Sequence, residues 1–127
     1  MKKNKAFTMI ELMSVLLIIG ILIAVIAPRI RRGQAQAKIM ATRTTLESLK
    51  TAVVFFKQDK GAYPQESDGL NSLVGSGVEE SQLKDAWDNE FVYNAPPKKY
   101  KDRYKRFEIY SLGPDEEDSG DDLHDGD

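Results

Sequence analysis

Glu11 is the residue of this sequence whose position most demands a chemical explanation. It is the one charged residue between Phe7 and Ala27. That stretch, if helical, is about 31 Å long, which is enough to cross the core of a bilayer. A carboxylate placed in hydrocarbon costs about 2.5–3.5 kcal/mol on insertion scales. Glu11 is therefore predicted to have a function rather than to be an incidental residue of a membrane anchor.

A second candidate site is an acidic cluster near the C-terminus. Residues 115–122 hold six carboxylates, and Gly113, Pro114 and Gly120 lie beside or among them. Ca²⁺ binds six to eight oxygen ligands, and acidic turns supply them. The spacing of an EF-hand is absent, however. Composition alone favours a solvated acidic tail over a calcium site, and both alternatives stay open at this point.

Catalytic chemistry is not indicated. The sequence has no cysteine and a single histidine, His124, so it offers neither a disulfide nor a pair of histidine ligands. We find no Ser/His/Asp arrangement and no glycine-rich phosphate loop, and we predict that the protein is not an enzyme. His124 is predicted to belong to a disordered tail, 124–127. With a net charge of −2, nucleic acid is not expected as a partner.

The apolar stretch allows three interpretations. Lys2, Lys3 and Lys5 precede it, as in a secretory signal peptide. Its Ala24–Pro28 end is a poor cleavage site, however, because proline follows directly. An ordinary membrane anchor is the second interpretation, and it leaves Glu11 unexplained. In the third, the chain is cut between Ala6 and Phe7 and the apolar helix is retained.

The residues after the apolar stretch predict an amphipathic helix from about 34 to 58. Ile39, Leu46 and Val53 recur every seven residues, with Leu49 and Phe56 between them. We expect this helix to lie on its own small domain and to stop at Lys60-Gly61. Pro28 predicts a kink or local melting between Gly20 and Pro28, with a helix end at Pro28 as the alternative.

Two strands and their connection are predicted in the remaining chain. Phe91-Val92-Tyr93 and the segment 107–112 are rich in aromatic and β-branched residues. The basic, aromatic stretch 96–106 between them is predicted to be a solvated hairpin loop. A short helix is expected at 68–74, before Gly75. One strand pair predicts a small antiparallel sheet that depends on the long helix for its core.

Several motifs resemble one family. Phe7-Thr8-Met9-Ile10-Glu11 resembles the start of type IV pilins and of type II secretion pseudopilins. Tyr63-Pro64 with Gly69-Leu70, Asp85-Ala86-Trp87, and Ser111 to Asp115 resemble the major pseudopilins of type II secretion systems, the general secretion pathway protein G family. The sequence departs from that family at Ala6, Ala86 and Asp88, where the usual residues are Gly, Pro and Gly.

The resemblance implies an α+β, type IV pilin-like fold, in which a long N-terminal helix packs on a small antiparallel sheet with a C-terminal calcium loop. It divides the chain into a leader, 1–6, removed by prepilin peptidase; a transmembrane and polymerisation helix, 7–28; an amphipathic helix, 29–60; and a small periplasmic domain, 61–127, with an acidic tail. Phe7 would become the N-methylated N-terminus. Glu11 would pair with the N-terminal amine of a neighbouring subunit and set the register of a filament.

The resemblance also implies a calcium site. The backbone carbonyls of Leu112 and Glu117 and the side chains of Asp115, Asp121 and Asp122 would be its ligands. Asp118 and Ser119 are alternatives to Glu117, because the loop is one residue shorter than the usual pattern. The implied function is a subunit that polymerises into the periplasmic pseudopilus of a type II secretion system, which exports folded proteins across the outer membrane. Other copies, minor pseudopilins and an inner-membrane assembly platform would be its partners, with a single span in the inner membrane. A type IV pilin for adhesion, motility or DNA uptake is the alternative.

Overall fold

The computed structural model of the chain describes residues 6–116 and 122–126. Its contacts divide it into two compact units, Met1–Gln36 and Ala37–Asp127. Helix α1 spans Met9–Lys60, and strands β1, β2 and β3 span Val92–Asn94, Glu108–Ser111 and Leu123–Gly126. Short 3-10 helices lie at Gly69–Leu73, Glu80–Leu83 and Gly113–Asp115.

Helix α1 runs through Pro28 without interruption. The predicted alternative of a helix end at Pro28 is therefore wrong, and no local melting is found from Gly20 to Pro28. Proline removes one backbone donor, and the i→i−4 hydrogen bonds on either side keep the helix in register. The predicted stop is confirmed, because Gly61 adopts a φ of 80° and its N–H donates to the carbonyl of Lys57 at 2.8 Å.

The amphipathic pattern of α1 in the second unit is confirmed. Its buried residues are Thr42, Leu46, Leu49 and Val53. Leu46, Leu49 and Val53 pack with Phe107 and Ile109, which are both fully buried, in one continuous core. The heptad spacing therefore identified the face of the helix that the small domain covers.

The sheet has three antiparallel strands in the order β1-β2-β3. The prediction located β1 and β2, and the short helix at 68–74 is found as the 3-10 helix Gly69–Leu73.

The prediction of disorder over 124–126 is wrong, because β3 pairs along the whole of β2 from Leu123 opposite Ser111 to Gly126 opposite Glu108. A Cβ at Gly126 would collide with the carbonyl oxygen of Phe107 and the ring of Tyr104. Asp and Gly are poor strand formers, so only pairing with a distant strand reveals this element.

Candidate functional site

The predicted cleavage point lies just before the first helical residue. Ala6 and Phe7 precede Met9, the start of α1, and both are exposed, Phe7 at 88%. A peptide bond in exposed chain outside a helix is accessible to a peptidase. This geometry is compatible with processing between Ala6 and Phe7, which stays a prediction.

Thr8 and Glu11 form a capping box at the start of α1. The Thr8 N–H and hydroxyl donate to Oε2 of Glu11 at 2.8 and 3.1 Å, and the Glu11 N–H donates to the Thr8 hydroxyl at 3.2 Å. Sequence reasoning missed this second use of Glu11, although T-x-x-E before an apolar run is its signature. Both hydrogen bonds that Thr8 gives to the carboxylate end on the same oxygen.

The apolar part of α1 is exposed along its length. In the part of the chain that the structure describes, α1 is the one helix long and apolar enough to cross a membrane. A helix that is apolar on all sides needs a covering of lipid or protein. The exposed residues are Met9, Ile10, Leu12, Met13, Val15, Leu16, Leu17, Ile18, Ile19, Ile21, Leu22, Ile23, Val25, Ile26 and Ile30.

The structure brings three of the predicted calcium ligands to one end of the sheet. Leu112 caps the 3-10 helix Gly113–Asp115, and Asp115 is exposed at its end. The pairing of Leu123 with Ser111 sets Asp122 beside Leu112. Glu117 and Asp121 lie outside the described residues. Over 6–116 and 122–126, no group of three or more His, Cys, Asp or Glu side chains could hold a metal ion.

A buried carboxylate that sequence reasoning missed, Asp85, fixes the chain just before this loop. Its Oδ2 accepts the Ser111 hydroxyl at 2.5 Å, and the same hydroxyl oxygen accepts the Gly113 N–H at 3.1 Å. The Oδ1 of Asp85 accepts the N–H groups of Trp87 and Asn89, each at 2.9 Å. The two motifs Asp85-Ala86-Trp87 and Ser111 to Asp115 are thus one hydrogen-bonded unit.

A second missed pair joins the basic connection 96–106 to the acidic loop. The Lys99 ammonium contacts the carboxylate of Asp122, whose side chain is 0% exposed. Nothing in the sequence around Lys99 indicates that this residue contacts an acidic side chain. The connection is therefore not simply a solvated hairpin loop, although it does join β1 to β2.

Glu108, fully buried at the start of β2, organises the same connection. Its carboxylate accepts the backbone N–H groups of Lys98, Lys99 and Tyr100 and the side-chain amide of Asn94. Burial acts to raise the pKa of Glu108, but these hydrogen bonds outweigh it and hold the pKa below its ordinary value of 4.5.

His124 is part of the sheet rather than a disordered tail. Its ring lies 4.0 Å from the ring of Tyr100, and its Nδ1 is hydrogen-bonded to the Tyr104 hydroxyl at 2.9 Å. Burial, followed by the nearby Arg103 guanidinium, lowers the pKa of His124. A neutral imidazole enclosed by tyrosines has a structural role here.

The chain matches two family models. The model "Type II secretion system (T2SS), protein G" covers residues 29–126, and "Prokaryotic N-terminal methylation motif" covers residues 1–27. The second match contains Ala6, Phe7 and Glu11.

Individual proteins show the same likeness. The type II secretion system core protein G of Pseudomonas aeruginosa is 32% identical, over 95% of this chain and 91% of that protein. A crystal structure of the major pseudopilin from the type 2 secretion system of enterohaemorrhagic Escherichia coli has the same fold. Its TM-score is 0.60 at 19% identity, over 75% of this chain and 91% of that one. The type IV major pilin protein PilA of Myxococcus xanthus is 43% identical, over 56% of this chain but only 31% of that pilin.

Proposed function

We propose a function for this chain from the premise that it belongs to the type II secretion system protein G family and is a pseudopilin subunit. The chain polymerises through α1 into a periplasmic pseudopilus, and this filament drives export of folded proteins across the outer membrane. The family is structural and its members are not enzymes. Prepilin peptidase, minor pseudopilins and an inner-membrane assembly platform are the partners that follow from this function. The small domain would lie in the periplasm, with α1 anchored in the inner membrane.

The observation that carries this proposal is the exposed apolar surface of α1 from Met9 to Ile30. Lipid covers such a surface while the subunit is in the bilayer. When subunits leave the bilayer, copies of the same helix are the covering that a filament provides. Van der Waals packing of these helices then replaces contact with lipid.

Glu11 would guide this packing once the chain is cut after Ala6. Cleavage creates an ammonium at Phe7, and the carboxylate of a neighbouring Glu11 is a partner that removes the cost of burying both charges. Because the hydrogen bonds from Thr8 reach Oε2, the capping box and an ammonium on Oε1 are compatible. The axial spacing of the subunits would follow from this pair.

The matched variants Glu11→Gln and Thr8→Val separate the two roles of Glu11. Glutamine keeps the capping box and removes the charge. We expect Glu11→Gln to insert into membranes but to form no filaments, whereas Thr8→Val assembles. Filament yield is measured by shearing and immunoblotting. Normal filaments from Glu11→Gln, or failure of Thr8→Val alone, would contradict the charge pair.

Mass spectrometry of the mature protein tests the processing step independently. The expected N-terminus is an N-methylated Phe7. A mature chain beginning after Ala27 would instead identify a cleaved signal peptide and would remove the polymerisation proposal with it.

We propose further that Ca²⁺ binds at the C-terminal loop through the carbonyls of Leu112 and Glu117 and the carboxylates of Asp115, Asp121 and Asp122. The donor set fits this ion, since every donor is an oxygen and the buried Asp122 already holds a cation, the Lys99 ammonium. Bound Ca²⁺ would neutralise these carboxylates and join the start of the loop to β3. In a chain without cysteine, that cross-link stabilises the fold.

Thermal unfolding with and without Ca²⁺ tests this site. We expect Ca²⁺ to raise the melting temperature of the wild type and of the control Asp102→Asn, which removes an exposed acid from the basic connection. Asp115→Asn should lose most of the increase. An equal increase in all three proteins would place the ion elsewhere.

A further inference from the structure

The Lys99–Asp122 pair lies within the proposed calcium site. Asp122 contributes a carboxylate whose side chain is 0% exposed, and the side chain of Lys99 is 20% exposed. A buried carboxylate without a positive partner is strongly destabilising. Lys99 supplies that partner from within the chain.

Three contacts direct the Lys99 side chain toward Asp122. Its backbone N–H donates to Oε1 of Glu108 at 2.9 Å, which fixes the start of the side chain. Its Nζ then lies 5.0 Å from the ring centroid of Tyr110 and 5.4 Å from that of Tyr100, within the range of cation–π attraction. These contacts hold the Lys99 side chain beside β2, with its ammonium in contact with the Asp122 carboxylate.

A divalent ion bound to Asp122 would be repelled by the Lys99 ammonium if both contacted the carboxylate at once. The two cations would lie a few ångströms apart in a partly buried site, where repulsion is much less screened than in water. Lysine can move away because its four-carbon side chain is flexible, and about 20% of that side chain is already exposed. Binding of Ca²⁺ therefore includes the cost of removing Lys99.

We propose that Lys99 is an internal cation that neutralises Asp122 in the calcium-free protein and competes with Ca²⁺ for it. This inference rests on the proposed calcium site and adds a determinant of its affinity. The competition lowers the affinity for Ca²⁺ and reduces the difference in stability between the calcium-free and calcium-bound proteins.

The test compares Lys99→Met with Lys98→Met in the full chain in detergent. Both variants remove one ammonium from adjacent residues. Lys98, however, is 62% exposed and pairs with Glu66 at 2.7 Å, away from Asp122. Calcium affinity is measured by isothermal titration with CaCl₂, and the melting temperature by the near-ultraviolet circular dichroism of the tyrosines, in EGTA and in Ca²⁺.

We expect Lys99→Met to bind Ca²⁺ at least about tenfold more tightly than the wild type, because the repulsion is gone. In EGTA its melting temperature should fall by about 12 °C or more, since the buried Asp122 carboxylate loses the Lys99 ammonium, and Ca²⁺ should restore it. Lys98→Met should bind within about twofold of the wild type. Lys99→Arg keeps the charge and should also stay near the wild type.

Each other outcome gives a definite answer. If the wild type binds Ca²⁺ and Lys99→Met binds no more tightly, the competition is refuted while the calcium site stands. If only Lys99→Met binds, the competition stands and the native chain is not a calcium protein. If neither binds, both proposals fall. Should Lys99→Met be unfolded in EGTA, the Ca²⁺ concentration at half refolding replaces the titration, and failure to refold in millimolar Ca²⁺ refutes the inference.

Discussion

Glu108→Ala tests whether one buried carboxylate holds the basic connection in place. Oε1 of Glu108 accepts Asn94 Nδ2 at 2.6 Å and the N–H groups of Lys98 and Lys99 at 2.9 Å each. Oε2 accepts the Tyr100 N–H at 2.6 Å. The variant leaves these four donors without their acceptor.

The expected loss of stability follows from those donors. A donor left unsatisfied costs about 1–3 kcal/mol, and the lower end applies because the connection is only half-buried and water can replace part of the loss. Four donors then give about 4 kcal/mol. At about 4–8 °C per kcal/mol for a domain of this size, the melting temperature should fall by about 16–32 °C. Since total stabilities are about 5–15 kcal/mol, this loss is about a quarter or more of the free energy of unfolding.

Glu108→Gln gives a milder and more informative comparison. Its carbonyl can replace Oε1, but its amide group would face the Tyr100 N–H, donor against donor, at a cost of about 1–3 kcal/mol. The pKa of Glu108 is below its ordinary value of 4.5 in the folded protein. The carboxylate therefore contributes stability that is fully present well above pH 4.5 and is lost as the pH falls through the folded pKa. The wild type should lose its advantage over Glu108→Gln in acid.

Melting curves of the full chain in detergent from pH 3 to pH 8 measure both effects. Glu66→Gln is the control, since Glu66 is an exposed carboxylate that pairs with the Lys98 ammonium at the surface. It should cost less than about 1 kcal/mol. If Glu108→Gln and Glu66→Gln melt together at pH 7, or if the gap does not close in acid, the role assigned to Glu108 is refuted.

Three further predictions concern the core and the loop support. Leu49→Ala should lower the free energy of unfolding in urea by about 2–5 kcal/mol, because Leu49 is 1% exposed. The control Met40→Ala, at a 60% exposed position of the same helix, should change that free energy very little. Burial raises the pKa of Tyr93 to about 12, so stability should decline between pH 10 and pH 12 as the unfolded tyrosine ionises first. In Tyr93→Phe this part of the decline should be absent, and an unchanged alkaline profile would contradict it. Asp85→Ala should change the fluorescence of Trp87, the one tryptophan, and lower the melting temperature, because the backbone N–H of Trp87 loses its acceptor. An unaltered spectrum and melting temperature would contradict this.

Features that depend on residues close together in the sequence were predicted more accurately than features that depend on distant residues. The membrane-spanning length, the buried face of α1 and its stop at Lys60-Gly61 all depend on residues within a few positions of one another, and these predictions are confirmed. Whether the helix continues through Pro28 was left open by the sequence, because one missing hydrogen bond weakens a helix without deciding whether it ends there. The capping box of Thr8 and Glu11 was also local and could have been read from its spacing.

The sequence by itself determined what periodicity and short motifs encode: an apolar helix carrying Glu11, an amphipathic continuation, two strands, and motifs typical of one family. Only the tertiary structure revealed β3, the Asp85–Ser111 hydrogen bond and the Lys99–Asp122 pair. The partners in the two side-chain contacts are 26 and 23 residues apart, so no spacing rule links them. Such contacts form because burial leaves a polar group with few possible partners, and the folded sheet decides which partner is within reach.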